Sequence, residues 1–167
     1  MNLRFALASA LLVACGSVYA APSAIDSDFV TKAAQAGMAE VAAGRMAEKQ
    51  GQSAATKAFG KRMVTDHTKA GDELKRAAEK SGAKMPTTMS DEQKQAGEKL
   101  ASLKGDAFDQ AYAEQMVKDH EDAVALFQKE STSGSDSDLK AFAGMTLPTL
   151  QDHLRMAKAL PKGSNSK

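Results

Sequence analysis

Two segments of this chain match each other at the positions of one helix face. In "FGKRMVTDHTKAGDEL", Phe59, Met63, Val64, His67, Ala70 and Leu74 stand where "YAEQMVKDHEDAVALF" carries Tyr112, Met116, Val117, His120, Ala123 and Phe127. Positions 59, 63, 67, 70 and 74 follow one another at helical spacing. At about 100° per residue they fall within an arc of about 80°. The chain therefore predicts two matching amphipathic helices, each with a histidine on its inward stripe.

The rest of the chain agrees with a helical fold. It is rich in Ala, Lys, Glu, Gln, Leu and Met, which are good helix formers. Only 5% of it is aromatic, and β-branched runs are few, so the expected class is all-α. Ser27 is read as the cap of a first helix ending near Gln50, with Gly51 beyond it. Ser53 and Gly82 bracket a second, from about 54 to 81. "GAKMPTTMS" is a polar connector, and Ser90 with Gln93 resembles a capping box for a short helix near 91–103. Gly105 is expected to break that helix. A third long helix fits 106–131. Ser135 or Asp136 starts a fourth, which runs to about Leu160 and contains Pro148, where a kink is expected. Its stripe is Leu139, Ala143, Leu147, Leu150, Leu154 and Ala157, with His153 on the core side.

The first 20 residues read as a secretory leader: Arg4, an apolar run from Phe5 to Ala14, then small residues. The run is too short to span a bilayer as a stable helix. Cleavage after Ala20 gives a free periplasmic protein. The alternative is the lipoprotein-like "LVAC", residues 1–14 being the signal and Cys15 the lipidated N-terminus, anchored to the bacterial outer membrane. Residues 21–27 are then a short linker, 28–160 the bundle domain and 161–167 a disordered tail. Cys15 is the only cysteine, so no internal disulfide is available. The roughly 145 residues after the leader suffice for one domain. Removing the leader takes Arg4 and no acid, which brings the chain's 22 basic and 21 acidic residues into balance. That balance gives no electrostatic reason to expect nucleic acid or an anionic membrane as partner. No second run is long enough for a membrane span. Protein partners have no signature.

Glu40 is the anomaly of the first helix. Its stripe is Phe29, Ala33, Ala36, Gly37, Ala43, Gly44 and Ala47, with the carboxylate in the middle. An inward carboxylate among small residues is costly unless paired or ligated. Each long helix thus offers one inward polar residue: Glu40, His67, His120 and His153. The connector between the second and third long helices is long enough to travel back along the bundle, which makes those two helices parallel. Counted at about 1.5 Å per residue, His67 and His120 then share one layer, with Glu40 and His153 in another some 8–10 Å away. Side chains lean toward the N-terminus of their own helix, so the two layers lean into the gap between them.

The segments "FGKRMVTDHTKAGDELK", "FDQAYAEQMVKDHEDAVALF" and "DLKAFAGMTLPTLQDHLRMAKAL" resemble an exported bacterial family, the domain of unknown function numbered four-one-four-two. It is also labelled as predicted outer-membrane proteins and placed in the ferritin-like superfamily. The resemblance covers residues 28–160 and implies a ferritin-like four-helix bundle with a crossover carrying a short helix. It implies no activity. The superfamily's di-iron site needs Glu-x-x-His on two helices. Val64, Val117 and Leu150 stand three residues before the histidines here, so ferroxidase chemistry is not expected.

Three functional classes remain. The inward set can be a hydrogen-bonded network that fixes the register of an envelope protein without assigned biochemical role. It can instead be a mononuclear site of three histidines and Glu40, serving metal handling or stress response. Asp66 and Asp119 would then support the ligands, and Met63 and Met116 lie one turn before two of them. Imidazole with carboxylate suits Zn, Fe, Mn, Ni or Cu. The third class is a lipid-anchored interaction module of the envelope. An enzyme is the weakest reading: there is no Ser/His/Asp nucleophile segment and no Gly-rich phosphate loop.

Overall fold

The computed structural model describes residues 21–161. The leader, Cys15 and residues 162–167 of the expected tail lie outside them. The described residues form five helices and no strand: α1 (Ala24–Gln50), α2 (Ala54–Ser81), α3 (Asp91–Ala101), α4 (Gly105–Ser133) and α5 (Ser137–Lys158). The all-α expectation holds.

Most helix ends follow the local chemistry of the sequence. Ser53 caps α2, Gly82 closes it in the left-handed conformation at φ 75°, and Ser90 and Gln93 form a reciprocal capping box on α3. Asp136 caps α5, accepting from the amides of Asp138 and Leu139. The start of α1 differs from the expectation. Ser23, not Ser27, is the cap, and the Asp26 carboxylate accepts in return from the Ser23 amide. Ser27 thereby becomes a helical residue, and the first helix takes in most of the expected linker. Gly105 opens α4 at φ 59° rather than standing outside it, a conformation that glycine adopts without steric penalty. Pro148 lies inside α5 without ending it.

Two buried aspartates fix how the helices run. Asp109, near the start of α4, accepts from the amides of Gln52 and Ser53 in the α1–α2 turn, both at 2.8 Å. Asp26, near the start of α1, accepts from the amides of Ser135 and Asp136 in the α4–α5 turn, at 2.8 and 3.3 Å. So α2 and α4 begin at one end of the bundle, and α1 and α5 begin at the other. Residues 82–104, including α3, return along the bundle between them. The second and third long helices are therefore parallel, as the connector length predicts. α1 packs against α2 and α4, and α5 packs against the same two.

Close contact between α1 and α2 depends on small residues. A Cβ added to Gly60 would lie 2.7 Å from both the Gly44 carbonyl oxygen and the Ala47 Cβ. The apolar core falls into two clusters. One holds Phe29, Leu74, Phe127, Leu139, Phe142 and Leu150, and the other Phe59, Met63, Phe108, Tyr112, Met116 and Leu160. On every long helix the inward polar residue falls between them in the sequence. No helix among the described residues is long and apolar enough to cross a membrane.

Candidate metal centre

The polar layer brings three of its four residues together. His67 on α2, His120 on α4 and His153 on α5 each place one ring nitrogen within 4.8 Å of the other two. Their ring centroids are 5.6, 5.4 and 5.3 Å apart, close to an equilateral triangle. The Phe59 ring, a member of the second core cluster, stands 6.4 Å from both His120 and His153.

Hydrogen bonds decide which nitrogens are available. His120 Nδ1 is 2.8 Å from the Met116 carbonyl oxygen. That oxygen can only accept, so Nδ1 carries the proton and Nε2 keeps its lone pair. His153 Nε2 is 2.8 Å from Asp66 Oδ2. Burial works against the Asp66 carboxylate, but bonds and charges from His153 and Arg62 outweigh it and hold its pKa below the ordinary value. His153 Nε2 therefore donates, and Nδ1 keeps the lone pair. His67 Nε2, His120 Nε2 and His153 Nδ1 are all buried and have no hydrogen-bond partner among the described residues.

All three rings favour the neutral form. Burial, helped by the charges of His120 and His153, pushes His67 down to about 3. Burial pushes His120 down to about 4 against the pull of the Met116 bond. It lowers His153 too, outweighing Asp66. Neutral imidazole is the form that binds a metal ion.

Glu40 stands apart from the triad. It is buried, with Oε1 3.9 Å from His120 Nδ1, the nitrogen already committed to Met116. Burial first, and the charge of Asp119 second, raise its pKa well above the ordinary carboxylate value, which favours the neutral acid over an ion pair with His120. Asp119 is itself raised, mainly by burial. Met63 and Met116 belong to the apolar cluster on the Phe59 side, and what Met116 offers the layer is its backbone carbonyl. Arg62 lies off the inward stripe, and its only sequence mark is its place four residues before Asp66. Its guanidinium joins Asp66 at 3.2 Å to Asp152 at 2.9 Å and so braces the carboxylate behind His153.

A helical bundle of four long helices with one long crossover, and with three inward imidazoles on three of those helices, is the class that these features define. The model of the family described as "Domain of unknown function (DUF4142)" matches residues 16–160, and the chain belongs to that family. The resemblance drawn from the three Asp-His segments is thus borne out. The crystal structure of a DUF305 fragment from Deinococcus radiodurans shares the fold, with a TM-score of 0.72 at 11% identity, over 84% of this chain and 97% of that one. No curated protein matches this chain.

Proposed function

We propose that the protein binds one transition-metal ion through His67 Nε2, His120 Nε2 and His153 Nδ1. The observation that carries this reading is that three imidazoles meet in the bundle, each with a buried ring nitrogen that has no hydrogen-bond partner among the described residues. In His120 and His153 the bonds of the opposite nitrogen leave the lone pair on it. A network that only fixed helix register would satisfy them, because an unpaired buried acceptor costs about 1–3 kcal/mol. A metal ion satisfies all three at once. The opposite nitrogens of His120 and His153 are held by a carbonyl and a carboxylate, the arrangement that fixes tautomer and ring orientation in metal-binding histidines. Ligand nitrogens about 2.0–2.1 Å from a metal lie closer together than the present spacing, so small ring rotations accompany binding. Three imidazoles suit Zn, Cu, Ni or Fe and leave a further coordination position open. Glu40, behind His120, tunes that ring rather than ligating.

The leader-like residues 1–20 support export, and with it a role in metal handling in the bacterial envelope, either free in the periplasm or anchored through Cys15. The test is calorimetric titration of metal-free protein with Zn²⁺ and Cu²⁺, alongside His67→Ala and His120→Ala. One ion per chain, with affinity reduced at least 100-fold in either variant, supports the site. Binding that both variants retain in full refutes it.

A further inference from the structure

A cavity of about 340 Å³ adjoins the imidazoles. Glu40, His67, His120 and His153 are among its lining residues, with Asp66 and Asp119 beside them, and Ala33, Leu74, Ala123, Phe127 and Phe142 form an apolar part of the wall. The exposed residues Thr68, Asp72 and Lys75 share the lining, so the cavity meets solvent along α2.

Two features mark it as more than a packing gap. Gly37 in α1 and Gly71 in α2 both line it, and a Cβ added to either meets nothing within 4 Å. Glycine inside a helix is about 1 kcal/mol worse than alanine. Neither helix needs glycine at these positions to avoid a clash, so the two glycines keep space open. The second feature is that four of the lining residues carry a buried polar atom without a partner among the described residues: Glu40 Oε2 and one ring nitrogen of each imidazole.

We propose that this cavity binds a compact, uncharged, mostly apolar molecule carrying a single hydroxyl-type head, seated with its head against the imidazoles and its body among Leu74, Phe127 and Phe142. Of the charged lining residues, Asp72 and Lys75 are exposed and Asp66 is engaged by His153 and Arg62. The body of the ligand lies among Leu74, Phe127 and Phe142, where a charged or many-headed group is unfavourable. A cavity of roughly 150 Å³ holds benzene, which leaves room here for two fused rings or an aliphatic body of like size. In metal-free protein the head donates to an imidazole lone pair. Its use of the open coordination position in loaded protein rests on the metal reading above.

The probes are 1-naphthol and naphthalene, which differ only in the head, and the chain has no tryptophan to obscure naphthol fluorescence. Metal-free and zinc-loaded protein are titrated with each, together with Gly71→Leu and Gly37→Leu, whose side chains would enter the cavity. Thermal melts verify that both variants fold, and Gly71→Ala replaces any that does not. The expected result is one 1-naphthol per metal-free chain, at least tenfold weaker binding of naphthalene, and at least tenfold loss of naphthol affinity in the leucine variants with zinc affinity within threefold of the parent. Equal affinity for the two probes, or naphthol binding that the leucine variants leave unchanged, overturns the proposal. Zinc binding without naphthol binding removes the cavity ligand and leaves the metal site. Naphthol binding without zinc binding does the reverse.

Discussion

Replacing Asp66 with asparagine isolates what holds His153 in its binding tautomer. Asp66 Oδ2 accepts from His153 Nε2 at 2.8 Å and from Arg62 Nε at 3.2 Å. The asparagine amide is neutral, and its nitrogen can donate to His153 Nε2. That moves the ring proton to Nδ1, the atom that must offer a lone pair. A hydrogen bond to a charged group contributes about 1.5–3 kcal/mol, and removing such a partner behind a ligand histidine lowers metal affinity about 10- to 100-fold. Asp66→Asn should lose Zn²⁺ affinity by that factor. Asp152→Asn is the matched control: Asp152 also pairs with Arg62, at 2.9 Å, and its other side-chain bonds go to Arg155, not His153. It removes the same charge and should change affinity by less than about threefold, as expected for a half-buried pair that solvent still screens. Competition with a chromophoric chelator at pH 7.5 measures both, and nitrogen chemical shifts of His153 report the tautomer. Equal losses in the two variants would show that long-range charge, not the hydrogen bond, sets affinity, and the tautomer argument would fail.

Further outcomes follow from the same geometry. Metal affinity should change little between pH 7.5 and 5.5, because His67 and His120 titrate only near 3 and 4; three ordinary histidines would lose about 1000-fold over that range, and calorimetry at the two pH values separates the cases. The same depressed values make the metal-free protein less stable in acid: neutral burial of the rings contributes stability above the unfolded histidine value near 6.5, and this is lost as pH falls toward the folded values, visible as a falling melting temperature. Glu40 has the opposite sign, since its pKa is raised. Its contribution is full below the unfolded value and is lost as pH rises, so Glu40→Gln should raise the melting temperature at pH 8 and leave it nearly unchanged at pH 4. Gly60→Ala would press a methyl group to 2.7 Å from the Gly44 carbonyl oxygen and should cost about 1–3 kcal/mol, measurable by urea unfolding.

The bundle was legible because its signals are local or periodic. The stripe at 59, 63, 67 and 74 faces inward as the spacing dictates, and Ser53, Gly82, Ser90 and Asp136 act by rules that span three or four residues. The start of α1 was legible by the same rules. Ser23 has Asp26 three residues on, whereas Ser27 has Val30, so only Ser23 can form the reciprocal box. The site was legible as residues and not as geometry. That His153 presents Nδ1 depends on Asp66, which belongs to another helix. Glu40 lies on the right face of α1, but interhelix register places it behind His120 instead of inside the triad. The cavity depends on whether four helices close over Gly37 and Gly71, and no pattern along one helix decides that.

The exchange of aspartates between the two tight turns bears on the order in which the chain can become a protein. During synthesis α1, α2 and their turn emerge well before Asp109 exists. Until α4 arrives, the Gln52 and Ser53 amides must remain hydrated. Asp26, among the first of the described residues to emerge, waits for Ser135 and Asp136, which come near the end. Neither hairpin is finished by its own residues. A half-made chain therefore stays pliable, and closure of the last turn completes both ends of the molecule together, in one late and cooperative event.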